Sequence, residues 1–447
     1  MTNLSRFPAP ALVLCALWCT WLTPLCNAQF TTVINVPPDL ELDRIEPGTQ
    51  VNVFAGGVLS SRNPIEMEQA ELNIEGATLN EAVVARNHAS INVRNGHVEN
   101  AYSLSGSQLT LRDGTAGVLG ARSGGEIVVS ESSVWSVFVG FYQNPLPFPI
   151  VDDGPLTGIT ATFFVQNSEI NWLNVDDNSV VNLTNTHVTQ QMTGHGGTIT
   201  AENSQLRDVF LGPPEDRGED ARGMVAHFHS SQAKLLRIQS RAVAHVHDTN
   251  AERVQLIGSA TLHHYGGHLK DLYMYPGFAD DPGTPIANIY GGTISNPGGI
   301  RESYRFFDGI INLYGGAFEL GASFAMPLHW HGGSVGPAAT LRSDVYIYGT
   351  EFALLQDNGF EPITGLTADL PELLTLRDAT LRIRRADGSI YDAVLSSQFG
   401  LPDIYVAPGA KLYLVLVQVP EPATITLTLV ALSGLTLLHR HRWLFTH

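Results

Sequence analysis

Disulfide bonds are excluded from the body of this chain. Its cysteines, Cys15, Cys19 and Cys26, all precede Gln29. In that opening stretch Arg6 comes before a mainly apolar run from Ala9 to Leu22 and a small-residue end, Cys26-Asn27-Ala28. The order of charged, apolar and small residues predicts a secretory signal peptide over 1–28, cut after Ala28. Leu14 and Leu25 stand before Cys15 and Cys26, where a lipidated cysteine would follow a small residue. The roughly 390 residues between the two ends must therefore be held by burial and hydrogen bonding alone.

Lysine is as scarce as cysteine, with only Lys234, Lys270 and Lys411. With 43 acidic against 25 basic residues the formal charge is −18. Such a chain repels DNA, so no nucleic-acid partner is expected. An acidic polysaccharide is disfavoured on the same ground unless calcium bridges the two. Residues 30–418 contain no long amphipathic helical pattern, and the chain has no phosphate-binding glycine loop, Cys-His zinc motif, nucleophile elbow or EF-hand loop. In their place stand 43 glycines and a 44% apolar fraction, which suits an extracellular β-protein with tight turns and does not suit disorder.

The body repeats. Leu72, Ile91, Leu109 and Ile127 open similar alternating segments, Glu71–Gly76, Ser90–Asn95, Gln108–Asp113 and Glu126–Glu131. Their spacing is nearly constant, at about 18 residues. Short second strands such as Ala82-Val83-Val84 fall between them. A variant returns as Leu262–Gly267, Ile286–Gly292, Ile311–Gly316 and Val345–Gly349. One strand pair cannot bury its apolar face alone, so the units must stack. The pattern predicts an all-β fold, a parallel β-helix with coils of ~18–25 residues and glycines at the left-handed corners. A β-sandwich is the main competitor. It is disfavoured because successive units resemble one another and few two-residue hairpin turns appear before residue 380.

The expected organisation is a signal peptide over 1–28, a repetitive body over 29–340 and a small antiparallel β module over 341–418 that caps the coil's edge. In that module Leu381–Arg385, Ala386-Asp387-Gly388 and Ile390–Val394 read as a hairpin. Ile404–Val406 and Leu412–Val417 read as a further strand pair. The stretches 142–156, 212–223 and 275–285 interrupt the repeat as loops.

Histidines supply the main candidate chemistry. His227 and His229 recur one repeat interval later as His245 and His247, and His263 follows His245 by the same interval. At that coil length His227, His245 and His263 form one ladder, and His229, His247 and Tyr265 form another beside it. Each His-x-His places two imidazoles on one strand face, where they can chelate a divalent ion. The five histidines are thus candidate metal ligands. Stacks of like residues that merely cover the sheet explain the same pattern, and no other cofactor is implied. His329-Trp330-His331 repeats the local pattern in an unfixed register. A glycosidase would need converging carboxylates. The acidic candidates are Asp152-Asp153, Asp176-Asp177, Asp280-Asp281, and Asp208 with Glu215-Asp216, with Lys234 or Arg237 as a base. Asp is favoured in turns for turn chemistry alone, so no catalytic residue is assigned.

At the far end Val419-Pro420-Glu421-Pro422 precedes an apolar run over Ile425–Leu438 and the basic group His439-Arg440-His441-Arg442. This resembles the PEP-CTERM sorting tail, with its Pro-Glu-Pro motif, short apolar helix and basic stop, here interleaved with histidine. The resemblance covers residues 419–447. It implies an exosortase-type sorting enzyme as partner, and a membrane-anchored precursor destined for the cell surface or extracellular polysaccharide matrix. The run over 425–438 is shorter than the ~20 residues that span a bilayer core; flanking residues can supply part of the difference, and Arg440 and Arg442 would hold the cytoplasmic end. The expected protein is structural or adhesive. A polysaccharide lyase or hydrolase, or a metal-binding surface protein, is the alternative.

Overall fold

The computed structural model describes residues 30–37, 39–140, 160–176, 179–212, 223–277, 283–297, 309–319, 321–376, 378–399 and 403–418. The predicted signal peptide and sorting tail lie outside these residues, as do Asp152, Asp153, Asp177, Glu215, Asp216, Asp280 and Asp281.

Parallel pairing, coil on coil, builds the molecule. Ser90–Arg94 pairs with Gln108–Arg112, which pairs with Glu126–Ser130. Ladders of this kind make one sheet of 18 strands and a second of 15. The fold is therefore a parallel β-solenoid of about fifteen coils, and among the described residues it contains strands and turns but no helix.

Alternation writes the core. In Ser90–Arg94 Ile91 and Val93 are buried and their neighbours are not, and the same inward pair recurs as Leu109 with Leu111 and as Ile127 with Val129. Each such side chain contributes about 1.5–3 kcal/mol by leaving water. On the second sheet the alternation breaks once per coil. Inward residues there fall three positions apart, as in Val98 and Ala101, Val134 and Val137, or Ala251 and Val254. The ladder passes over the residue after the first of each pair, Glu99 or Trp135 for example. The long second strands, such as His97–Ser103, are thereby kinked within a single element.

Glycine takes the left-handed conformation at some corners, such as Gly267, Gly292 and Gly316, but not at all of them. Between the two sheets Asn95, Asp113, Glu131, Asn167, Asn185, Asn203, Ser230 and Asp248 all adopt φ between 48° and 52°. Asn and Asp tolerate this left-handed region because their short polar side chains can bond locally. Directly after six of these corners sits a buried hydroxyl: Ser132, Ser168, Thr186, Ser204, Ser231 and Thr249. Ser231 Oγ donates to the His229 carbonyl at 2.9 Å and accepts the Ser204 N–H from the preceding coil at 3.1 Å. Thr249 does the same for the Ser231 N–H. Each hydroxyl thus pairs a backbone donor that would otherwise be buried alone. Glycine takes over at Gly266-Gly267, Gly291-Gly292, Gly315-Gly316 and Gly332-Gly333. There the backbones approach so closely that a Cβ on Gly292 would lie 2.5 Å from the Gly267 carbonyl oxygen.

The stretch expected as a separate module is shared. Ala379–Arg384 and Ile390–Ser396 form the antiparallel hairpin, turning at Gly388 with φ +83°. Ile404–Val406 and Leu412–Leu416 do not pair with each other. The first continues a parallel ladder from Thr340–Leu341, and the second lies parallel to Val345–Gly349 as a further rung of the 18-stranded sheet. Buried Leu412 and Leu414 extend the inward stack, so Pro408-Gly409 lies at a solenoid corner rather than in a hairpin turn. Pro371–Leu374 then runs antiparallel along Leu412–Leu416.

Candidate functional site

The outer face of the 18-stranded sheet carries two side-chain columns, because parallel pairing repeats each position one coil on and alternation keeps it outward. The first column begins as amides. Asn52 donates to Asn35 at 2.8 Å, Asn73 to Asn52 at 2.9 Å and Asn92 to Asn73 at 2.9 Å. Further along it becomes His227, His245 and His263, paired in that order. Asn288, Asn312, His329 and Tyr346 continue it. The second column runs His229, His247, Tyr265, Tyr290, Tyr314, His331 and Tyr348.

Neighbouring rings in these columns are nearly parallel. Centroids of His227 and His245 lie 4.7 Å apart, and those of His245 and His263 4.8 Å. In the second column the separations are 4.6, 4.3, 4.9, 5.1, 4.6 and 3.8 Å, with interplanar angles from 8° to 18°. The rung spacing of ~4.8 Å imposes this arrangement. Ring faces therefore cover one another, and His263 Nδ1 is buried without a hydrogen-bond partner. Tyr265, Tyr290 and Tyr314 remain 40–44% exposed.

The structure thus brings all five candidate ligands into one patch, in the two columns expected from the repeat period. It also fixes His329 and His331, which join the first and second columns respectively; His329 Nδ1 lies 2.9 Å from Tyr348 Oη. An imidazole lone pair lies in the ring plane, so stacked parallel rings aim their lone pairs side by side rather than at a common point. Among the described residues no three His, Cys, Asp or Glu side chains are grouped to hold an ion.

Burial sets the charge state of the patch. It holds His227, His245, His247 and His263 below the ordinary imidazole value. Neighbouring imidazoles push three of them further: His229 acts on His227, His263 on His245, and His229 on His247. His331 is driven to about 4 by burial and then by His329. These rings are accordingly neutral at neutral pH. Beside them His264 points inward, fully buried, with no hydrogen-bond partner for either ring nitrogen. Burial, then His268, lowers it to about 4, against an opposing pull from Asp248.

Of the other described candidates, Asp208 and Lys234 come together in one hollow, whereas Asp176 and Arg237 stand apart from it. Asp176 is buried next to the first sheet's Ser179–Thr184 strand. Asp208 pairs in register with Leu235 on the second sheet, and Arg237 pairs with Phe210 and Gln255. Lys234 lines that hollow with Asp208 and also a larger groove on the second sheet, lined by charged and amide side chains. Sequence reading missed that groove as a unit. It also missed the extension of the second column through Tyr290 and Tyr314, whose signal was present in the repeated Tyr-Gly-Gly.

Fold and patch together define a parallel β-solenoid repeat protein with a stacked imidazole and phenol stripe. No family model, curated protein or solved structure matches the chain.

Proposed function

We propose that this is an exported structural or adhesive protein of the cell surface, sorted through its 419–447 tail and associated with the extracellular polysaccharide matrix. The observation that carries the reading is the stripe itself. Like side chains are stacked face to face through successive coils, so their surfaces are used in supporting one another along a stiff rod. Fifteen rungs at ~4.8 Å give such a rod a length on the order of 70 Å. The Val419-Pro420-Glu421-Pro422 motif and the basic stop at Arg440 and Arg442 supply the route to the surface through an exosortase-type enzyme.

The test is external protease shaving and fractionation of cells making the wild-type chain or a Pro420→Ala, Glu421→Ala, Pro422→Ala variant. Wild-type protein is expected outside and protease-accessible, with the variant retained in the membrane fraction. Wild-type protein that stays inside the cell would sink the reading.

A second reading is capture of a divalent ion by His227, His229, His245, His247 and His263. Their close spacing favours it, as does the neutral state of His227, His245, His247 and His263. It requires ring rotation out of the stack. Calorimetric titration with zinc, copper and calcium, beside a His227→Ala, His229→Ala, His245→Ala, His247→Ala variant, decides it. Stoichiometric binding lost in the variant supports the reading, and equal binding by both proteins removes it.

A further inference from the structure

Two of the chain's three lysines occupy one groove. The groove, about 680 Å³, lies on the second sheet, away from the ring stripe. One wall is a column in strict register, His187, Gln205, Gln232, Asn250 and His268. The other is formed by Arg207, Lys234, Glu252 and Lys270, residues over which the ladder passes at the kink in each strand. All four are exposed. Three cations against one carboxylate line this groove, in a protein whose overall charge is −18; a smaller hollow shares Lys234, Glu252 and Lys270 with it and adds Asp208, Arg253 and Asp271, so four cations face three carboxylates across the two. The local balance is thus slightly positive, against the sign of the chain as a whole.

Spacing narrows the ligand class. Lys234 occupies the position that Glu252 takes one coil on and Lys270 two coils on, so the backbone positions bearing the two ammonium groups stand two rungs apart, about 9.5 Å along the axis. An extended chain of sugars with twofold screw symmetry turns alternate carboxylates to the same side, and its disaccharide repeat is of this length. The intervening sugar turns hydroxyls toward Glu252, a carboxylate that can accept from them. The amide and imidazole column repeats donors and acceptors once per rung, as a polymer lying along the axis would need. One and two coils further toward the N-terminus the same sheet exposes Trp172 (39%) and Trp135 (60%), amphipathic rings suited to sugar faces.

We propose that this groove binds a linear, carboxylate-bearing polysaccharide laid parallel to the solenoid axis, with Lys234 and Lys270 each meeting a carboxylate of alternate sugars. Its biological setting rests on the surface-matrix reading, although its chemistry does not.

The test is calorimetric titration of the full-length protein with a β-1,4-linked glucuronic acid hexamer and with cellohexaose, its carboxyl-reduced counterpart. The charged hexamer is expected to bind at least ~tenfold more tightly, since hydrogen bonds between charged partners are the strong ones. A Lys234→Gln, Lys270→Gln variant should lose at least that factor, while Lys411→Gln, away from the groove, should bind as wild type. Glu252→Gln should bind the charged hexamer as tightly or more so. No binding, equal affinity for both hexamers, or insensitivity to the double lysine change would overturn the proposal. Failure here with protein found at the surface leaves the surface role intact, and binding by protein that stays inside the cell would remove that role alone.

Discussion

His264 makes the interior of the solenoid sensitive to acid in a way that can be isolated. Its folded value of about 4 lies below the ordinary 6.5. Above pH 6.5 the ring is neutral in both states and costs nothing electrostatically. As pH falls, the unfolded chain takes up the proton first, so stability drops through the window from about 6.5 to about 4 and then levels off. Linkage gives a loss of roughly 2 kcal/mol at about pH 5 and roughly 3 kcal/mol across the whole window. Replacing the ring by leucine, between Val246 and Ile289 in the same inward row, removes the titration and two buried unpartnered nitrogens. A solenoid opens locally rather than all at once, so hydrogen exchange in peptides covering Val243–His247, Thr261–His264 and Ile286–Ile289 is the suitable assay. After correction for intrinsic exchange, the wild type should lose about 2 kcal/mol more local protection between about pH 7.5 and about pH 5 than His264→Leu does. The shared response of the outer histidines cancels in that difference. Equal pH dependence in the two proteins would refute the assignment.

Two further substitutions test the corners. Ser231→Ala strips the acceptor from the buried Ser204 N–H and should cost ~1–3 kcal/mol in local exchange protection. Ser231→Thr should be near neutral, because Thr186 and Thr249 fill the same position in other coils. Gly292→Ala forces a side chain into φ +77° and sets a Cβ 2.5 Å from both the Gly267 carbonyl oxygen and His264 Nε2. The backbone penalty alone is ~1–2 kcal/mol. A thermal melt of that variant matching wild type would argue against the close coil-to-coil approach.

Much of this architecture is legible in the sequence. The interval between His227 and His245 is the coil length, and His-x-His places both rings on one outward face. The two columns follow from those facts. The corners are less legible. Glycine is the natural choice for left-handed backbone, yet Asn167, Asn185 and Asp248 take that conformation, and the buried hydroxyls beside them carry no local pattern that separates them from surface serine. An apolar strand after Pro408-Gly409 suits a pairing with its near neighbour, Ile404–Val406. The strand it joins instead, Val345–Gly349, lies far upstream.

What the sequence determined by itself is what repetition and alternation can encode: coil length, inward and outward faces, and the columns that result when one rung is placed on another. Tertiary structure alone decided how the rings are tilted, that His264 is sealed without partners, and that Arg207, Lys234 and Lys270 share a groove. The physical reason is that pairing depends on which segments meet after the loops between them are set aside. A longer stretch of chain separates Gln205 from Gln232 than separates His187 from Gln205, yet each pair is one rung apart. A count along the chain loses that register, and hydrogen-bonded ladders restore it.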